Sequence, residues 1–366
     1  MSKDPHRRVR LDRHKDLARS LAERSDRELL DLVQEAPTLG SGLGGSRSHL
    51  HVDGASVFVK RLPLTDLERA PSNTRSTANL FDLPLNCHYG VGAPSFNTWR
   101  ELAASTMTTA WVRDGRAACF PLMHHSRVVE APAFGDAMPD ELADVERLVE
   151  YWDGSVAVRR RAEAIIESST SVLLFLEYLP STLPDWLASC VAKGEEAASV
   201  AFTTVEESLQ NGVSLMNRSG LLHFDAHFEN ILADDHGIYF ADFGLATSPS
   251  FDLSEAESRF LTANRSHDAC YVSTRLVDWL VTEFTGLADW RERNEWIRRL
   301  VRGDDVSRLL PPTAAAIVER HAPIAALIND FYVNLHLEDR TTPYPTAEAE
   351  AACVAVGLDA SWVSDR

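Results

Sequence analysis

The chain has 366 residues, 45% of them hydrophobic, which is enough for one two-lobed domain or two modest domains with a large core. Its formal net charge of −18 argues against a nucleic-acid partner, because a phosphate backbone attracts a basic surface. No run approaches the roughly 20 apolar residues that cross a bilayer, so we expect no membrane partner.

The five cysteines lie far apart in no metal-ligand spacing, which favours reduced thiols. The polar first ten residues lack the apolar core of a signal peptide. We therefore expect a cytoplasmic protein.

The first half of the chain is predicted to be rich in strands. Residues 1–24 are charged without apolar periodicity, which indicates a mobile or loosely docked arm. Ser25-Asp26-Arg27-Glu28 has the form of a capping box and predicts that a short helix begins there. A strand–loop–strand–strand pattern follows, from Thr38 through Gly45 to 50–52 and 57–60.

Residues 68–98 fit neither the helical nor the strand period and indicate a long structured insertion. Their polar side chains favour either a lid or acceptor contact, or ordinary loop chemistry. The other elements predicted in this half are a helix over 102–112, strands over 118–123 and 171–176, and two amphipathic helices at about 139–152 and 155–168. We interpret His124 and His125 as structural.

The second half is predicted to be helical from Leu183 onward, interrupted by one hairpin. In that hairpin, two short apolar runs, 231–233 and 238–241, flank the turn-forming residues 234–237. The predicted helices cover 206–219, 268–284 and 289–301, and a further helix starts near Ser254.

Two carboxylates and an amide lie at the ends of this hairpin. Residues 222–230 read Leu-His-Phe-Asp-Ala-His-Phe-Glu-Asn, and Ala-Asp-Phe-Gly follows at 241–244. Pairing of the two strands would bring Asp225, Asn230 and Asp242 to one end of the same ladder. Asn230 and Asp242 are hard oxygen ligands of the kind that suits Mg²⁺.

The spacing H-x-D-x-x-x-x-N, then a hairpin, then D-F-G, resembles the catalytic and metal-binding segments of the protein-kinase-like superfamily. At motif level the resemblance covers roughly residues 36–285. It implies an α+β, bilobal fold: a strand-rich N-lobe over 25–178, with insertions at about 68–98 and 126–168, and a helical C-lobe over 179–366 that carries the catalytic hairpin.

The resemblance implies ATP and Mg²⁺ as cofactors and assigns four residues to catalysis. Asp225 would accept or orient the proton of the acceptor hydroxyl, and Asn230 and Asp242 would bind the metal. Lys60 would hold the α- and β-phosphates. The alternative is that Asp225 caps a loop, Asp242 ends a strand and Lys60 is an exposed strand-end lysine.

Further residues are implied in nucleotide binding. Gly40-Ser41-Gly42-Leu43-Gly44-Gly45 satisfies G-x-G-x-x-G, but Arg47 stands where a valine usually packs on the adenine. An acidic helix residue should pair with Lys60, and we favour Glu101 over Glu68. The residues assigned to the nucleotide, with the inter-lobe hinge included, are Gly40, Gly42, Gly45, Lys60, Glu101, Glu177 and Leu179.

Two residues are expected to support the catalytic loop. His223 would hold the loop by packing or hydrogen bonding, as the resemblance implies. Asp268 would either anchor that loop or be an ordinary charge at a helix N-terminus.

The motifs favour different branches of the superfamily. His227, two residues after Asp225, is similar to aminoglycoside phosphotransferases, whereas D-F-G-L-A is similar to Ser/Thr protein kinases. Phe224 replaces the arginine of H-R-D, and no A-P-E follows. We therefore expect a kinase that phosphorylates a hydroxyl of a small molecule such as an antibiotic, sugar or metabolite. The alternatives are a bacterial Ser/Thr protein or peptide kinase, whose acceptor is a protein, and a pseudokinase.

Overall fold

The computed structural model describes residues 5–90, 92–134 and 138–358 and is an α+β protein. The chain forms two compact units, Met1–Leu179 with Asp242–Glu257, and Pro180–Ala241 with Ser258–Arg366. The first unit thus includes the segment after D-F-G, which the sequence division had placed in the second lobe. Among the described residues, no helix is both long and apolar enough to cross a membrane.

The first unit holds a five-stranded sheet and seven helices within its described ranges. Its elements are α1 (Pro5–Glu23), α2 (Asp26–Glu35), β1 (Thr38–Gly42), β2 (Gly45–Val52), β3 (Ala55–Leu64), α3 (Asp66–Arg69), a 3₁₀ turn (Leu85–Tyr89), α4 (Thr98–Arg113), β4 (Met123–Val129), α5 (Asp140–Ala143), α6 (Val145–Tyr151), α7 (Val156–Glu167) and β5 (Thr170–Glu177).

The second unit is mainly helical. Its elements are β6 (Ser181–Thr182), α8 (Leu183–Ala192), α9 (Glu195–Arg218), a 3₁₀ turn (Phe228–Asn230), β7 (Ile231–Asp234), β8 (Gly237–Phe240), α10 (Glu255–Ala263, which begins in the first unit), α11 (His267–Thr285), α12 (Trp290–Val301), a 3₁₀ turn (Ser307–Leu309), α13 (Pro312–Leu337) and α14 (Thr346–Ala355). The hairpin and the helices predicted in this half are confirmed.

The sheet has the antiparallel order β1-β2-β3-β5-β4, and its two faces have different partners. Val57 and Val59 of β3 pack in one cluster with residues of α1 and α2. Leu62 and Leu64 belong to a second cluster, with Trp99 of α4. Because side chains alternate along a strand, Lys60 shares the face that meets α4.

The expectation of a mobile or loosely docked arm was wrong for residues 5–23, which form α1. Its buried residues Arg10, His14, Leu17 and Leu21 recur at helical spacing and lie on one face. Two of these four positions carry Arg and His, so the period is not visible as a run of apolar residues. The capping box of α2 is confirmed, because Ser25 and Glu28 exchange side-chain and backbone hydrogen bonds.

The strand predicted over 118–123 was also wrong, because β4 begins at Met123 and runs to Val129. Pro121 has no backbone N–H to donate to a ladder. The carbonyls of Ala118 and Phe120 accept hydrogen bonds from the Arg10 guanidinium at 2.9 and 2.7 Å. Residues 126–129, assigned to the second insertion, therefore belong to the sheet.

A buried histidine pair joins α1 to β4 and predicts acid sensitivity. The Nδ1 atoms of His14 and His124 lie 3.2 Å apart. Burial lowers the pKa of His124 to about 3 and also lowers the pKa of His14. Both shifts are downward, so below pH 6.5 the unfolded chain binds more protons than the folded chain. The free energy of unfolding therefore falls as the pH drops from about 6.5 toward 3.

We predict that urea unfolding will show a loss of about 1.4 kcal/mol between pH 7.5 and 5.5 from His124. His124→Asn should remove that part of the pH dependence. His51→Asn, at an exposed position of β2, is the matched control and should retain it. An unchanged pH profile in His124→Asn would contradict this assignment.

Candidate active site

Lys60 lies at the centre of a buried ion cluster in the first unit. Its Nζ is 2.7 Å from Glu101 Oε1 and 2.6 Å from Asp242 Oδ1. The side chains of Lys60 and Glu101 are only 6% and 4% exposed, whereas that of Asp242 is 33% exposed. The prediction that Glu101, on the first turn of α4, pairs with Lys60 is confirmed.

The alternative partner Glu68 is engaged elsewhere. Its carboxylate accepts hydrogen bonds from the Thr65 N–H and hydroxyl and from the Thr98 N–H. It also forms a fully buried ion pair with Arg161 at 3.0 Å. Glu68 therefore joins the start of α3 to α4 and α7 and does not meet Lys60.

The cluster holds two carboxylates for one ammonium. Burial would lower the pKa of Lys60, but Asp242 and Glu101 raise it above its usual range, so the ammonium stays charged. Burial, assisted by the Asp242 carboxylate, outweighs the attraction of Lys60 and raises the pKa of Glu101 to about 7. Of the three side chains, that of Asp242 is the most exposed.

The glycine-rich sequence forms the β1–β2 hairpin, in which Gly42 pairs with Gly45. Gly45 has a φ of +115°, and a Cβ there would lie 2.1 Å from the Arg61 carbonyl oxygen, so only glycine fits. A Cβ on Gly44 would lie 3.5 Å from Lys60 Nζ, which places the turn beside the ammonium. Gly40 also has a positive φ, of +119°, while a Cβ on Gly42 would meet open space.

Glu177, at the end of β5, is held by α1. Arg10 donates to its two carboxylate oxygens at 2.9 and 2.7 Å, and the Leu122 N–H donates to the same carboxylate at 3.1 Å. The Glu177 N–H donates to the Leu122 carbonyl at 2.8 Å. The carboxylate of Glu177 is therefore committed to Arg10 and to the Leu122 N–H. Leu179, the other predicted hinge contact, is half-buried.

The second unit contains Asp225 and Asn230. The Asn230 amide nitrogen donates to the Asp225 backbone carbonyl at 3.0 Å and to its carboxylate at 3.1 Å. This orientation commits the nitrogen to Asp225, so a cation would be met by Asn230 Oδ1. His227 Nε2 lies 3.9 Å from the other carboxylate oxygen of Asp225.

The loop that carries Asp225 is anchored by Asp268 of α11. The Asp268 carboxylate accepts hydrogen bonds from the His223 and Phe224 N–H groups at 2.6 and 2.9 Å. Burial would raise the pKa of Asp268, but hydrogen bonding and charge from His267, with a contribution from His223, hold it below its usual range. Of the two readings of Asp268, the loop anchor is confirmed.

His223 supports the same loop, as predicted. Its Nδ1 accepts from the Asp225 N–H, so Nε2 carries the proton that is donated to the Ala241 carbonyl at 3.0 Å. Phe224, which is 1% exposed, has a φ of +63°. A bulky residue in the left-handed region is strained, and such strain concentrates at functional sites.

Asp242 also has a left-handed backbone, with a φ of +61°. Its Oδ1 accepts from the Gly244 N–H at 3.3 Å, in addition to the contact with Lys60. Phe243 is buried and its ring lies 6.2 Å from that of Phe120. The turn at D-F-G thus directs the carboxylate to Lys60 while the phenyl ring packs in the core.

In the described part of the chain, no group of three or more His, Cys, Asp or Glu residues could hold a metal ion. Asp242 of the first unit carries one carboxylate, and Asn230 of the second unit carries one amide oxygen. Each is a hard oxygen ligand of the kind that Mg²⁺ takes, one or two at a time, beside phosphate oxygens and water.

The sequence did not reveal several residues that support this site. The signal for Arg10 was obscured by the charged composition of residues 1–24. Arg100, beside Glu101, and Asp252 act through contacts with partners that lie more than 150 positions away in the chain. No local pattern predicts such partners.

The chain matches no protein-family model, and no curated protein matches it.

Replacement of Asp268 tests the anchoring of the loop. In Asp268→Asn, an amide nitrogen would face a backbone N–H, leaving one buried donor without an acceptor. We predict a loss of about 2 kcal/mol in the free energy of unfolding by urea. Hydrogen exchange at the His223 and Phe224 amides should accelerate as well. Asp235→Asn, at the exposed hairpin turn, is the control; equal exchange rates in the two variants would refute the anchor.

Proposed function

We propose that the protein is an ATP- and Mg²⁺-dependent phosphotransferase of the bilobal protein-kinase-like type, with an alcohol group as acceptor. One observation carries the proposal: the Lys60 ammonium is buried between Glu101 and Asp242 at 2.7 and 2.6 Å. In kinases, the equivalent lysine and helix glutamate must be paired for the phosphates to be held.

Stability alone is a poor reason to retain this cluster. Desolvation of two or three charges is costly, and a well-packed apolar replacement is often neutral or stabilising. A charged lysine beside the glycine turn at Gly44 is, by contrast, what nucleotide phosphates require. Binding of phosphate by the buried ammonium would offset the free energy of its desolvation.

The residues of the second unit support the transfer step. Asp225, oriented by Asn230, would accept a hydrogen bond from the acceptor hydroxyl and align its oxygen with the γ-phosphorus. Bound Mg²⁺, held by Asn230 and Asp242, would neutralise charge on the phosphates. Lys60 would hold the α- and β-phosphates in position.

A small-molecule acceptor is favoured over a protein. Residues 243–254 are all that separates Asp242 from α10, which leaves little chain for a peptide-docking loop. His227, near the Asp225 carboxylate, adds to the similarity with aminoglycoside phosphotransferases. The cofactors of this proposal are ATP and Mg²⁺, and its partner is a hydroxyl-bearing metabolite, sugar or antibiotic.

The second candidate is a bacterial Ser/Thr protein or peptide kinase, which the sequence D-F-G-L-A at 242–246 favours. A pseudokinase is the least favoured candidate. A pseudokinase commonly lacks part of the lysine, aspartate and asparagine set, whereas Lys60, Asp225, Asn230 and Asp242 are all present.

The test is incubation of the purified chain with γ-labelled Mg·ATP and cell lysate, followed by separation of the label by molecular size. We expect label in the small-molecule fraction. Label on macromolecules would support the second candidate, and label in neither fraction would contradict phosphotransfer.

Asp225→Asn serves as the blank and is itself a prediction. Loss of the carboxylate should cut turnover by at least about 100-fold, because proton acceptance and alignment both depend on it. ATP affinity should stay within about twofold of wild type, because Asp225 does not hold the phosphates. Asp235→Asn is the charge-matched control and should turn over normally; normal turnover in Asp225→Asn would refute its role.

A further inference from the structure

The segment 242–257 is fastened at three points to residues of the insertion at 68–98 and of α4. Near its beginning, His88 Nδ1 lies 2.9 Å from the Leu245 carbonyl oxygen. In its middle, Asp252 binds Ser76 and Thr77. At its end, Glu257 binds Arg100. All of these contacts lie within the first unit.

Asp252 has the densest set of contacts. Its Oδ2 accepts hydrogen bonds from the Thr77 N–H at 2.9 Å, from the Thr77 hydroxyl at 3.2 Å and from the Ser76 hydroxyl at 3.1 Å. Its own N–H donates to Thr77 Oγ1 at 2.7 Å. Asp252 is on the surface, but four hydrogen bonds to two consecutive residues fix its position.

Arg100 makes the corresponding contact in the interior. Its Nη2 is 2.5 Å from Glu257 Oε1, and its Nε donates to the Thr77 carbonyl at 2.5 Å. The side chains of Arg100 and Glu257 are 1% and 6% exposed. Arg100 therefore joins the insertion to the end of the segment.

Helix α4 connects these contacts with the ion cluster. Glu101, the residue after Arg100, holds Lys60, which holds Asp242 at the start of the segment. Asn97, the N-cap of α4, donates to the carbonyls of Ser76 and Ala78 at 2.8 and 3.1 Å. One helix end therefore fixes both ends of the segment and the insertion that binds its middle.

We propose that Ser76, Thr77, His88 and Arg100 form an internal clamp. The clamp holds segment 242–257 in one ordered conformation and so keeps Asp242 beside Lys60. In kinases that require activation, a phosphate added to this segment supplies an anion for an arginine. Here Asp252 and Glu257 supply side-chain carboxylates that already contact Ser76, Thr77 and Arg100, and no added phosphate is needed. Ser76, Thr77 and Arg100 act as positioning residues. The effect of the clamp on catalysis rests on the proposed function. Its effect on the conformational order of segment 242–257 does not.

The polar residues of the insertion thereby receive a role other than that of a lid. Ser76 and Thr77 bind Asp252, whereas Asn73 donates to the carbonyl of Leu67, just before the insertion, and Asn79 to that of Leu83 within it. The insertion is thus held by local bonds and presents Ser76, Thr77 and His88 to the segment.

The experiment uses the full chain and two variants that alter the exposed contact. Asp252→Ala removes the acceptor, and Ser76→Asp places a second carboxylate against Asp252. Ser72→Asp adds the same charge to an exposed position of the insertion that does not bind Asp252, and is the matched control. Hydrogen exchange of residues 245–256 is measured first.

We expect exchange of 245–256 to rise at least about 10-fold in Asp252→Ala and Ser76→Asp and to stay unchanged in Ser72→Asp, while β3 and β5 keep their protection. The gain in ATP affinity on adding Mg²⁺ should fall about 10-fold in the same two variants, with metal-free affinity retained, because Asp242 loses its fixed position. Phosphatase treatment of the wild-type chain should change neither quantity.

Unchanged exchange in Asp252→Ala, or an equal rise in Ser72→Asp, would overturn the clamp. A requirement for phosphate on the wild-type segment would overturn it as well. If the wild-type chain bound no ATP, the proposed function would fail, and the exchange measurement would still decide the clamp alone.

Discussion

The structure of the candidate site depends on one interaction, the Lys60 ammonium shared by Glu101 and Asp242. Strand alternation in β3 turns Lys60 toward α4, and the first turn of α4 supplies Glu101 at that face. The left-handed backbone at Asp242 supplies the second carboxylate. A shift of β3 or α4 would leave the charge of Lys60 or Glu101 buried without its partner, at a cost of several kcal/mol.

Helix α4 is held at both ends to maintain this interaction. At its beginning, Asn97 caps the helix and Arg100 binds Glu257. At its end, Arg7 of α1 donates to the carbonyls of Val112 and Arg113 at 3.0 and 2.9 Å. Through Arg10, the same α1 holds Glu177 at the end of β5. The N-terminal helix is therefore a structural part of the first unit.

Local chemistry made much of this structure predictable. The capping box at Ser25 and the hairpin that follows Asn230 each need only a few neighbouring residues, and both lie where the sequence pattern predicts them. The pairing of Lys60 with Glu101 was predicted from the resemblance to the kinase lysine–glutamate pair, although the insertion at 68–98 lengthens the sequence separation between the two residues.

Other features depend on long-range partners that no local pattern shows. Helix α1 buries Arg10 and His14 because Arg10 binds Glu177 and His14 contacts His124. These pairs form only when the sheet has folded. The strand predicted over 118–123 does not form for the same reason. The carbonyls of Ala118 and Phe120, which a strand would have used in its ladder, accept hydrogen bonds from Arg10. The sequence likewise gives no indication that Arg100 binds Glu257.

The most direct test of the central claim is calorimetric titration of ATP, with and without Mg²⁺, into the wild-type chain and Lys60→Met. Methionine keeps the length and packing of the side chain and removes the charge. We predict that the wild-type chain binds Mg·ATP and that Lys60→Met loses at least about 2 kcal/mol of binding free energy, as expected for a charged hydrogen bond to phosphate. Equal affinity in the two proteins would contradict the assignment of Lys60 to the phosphates.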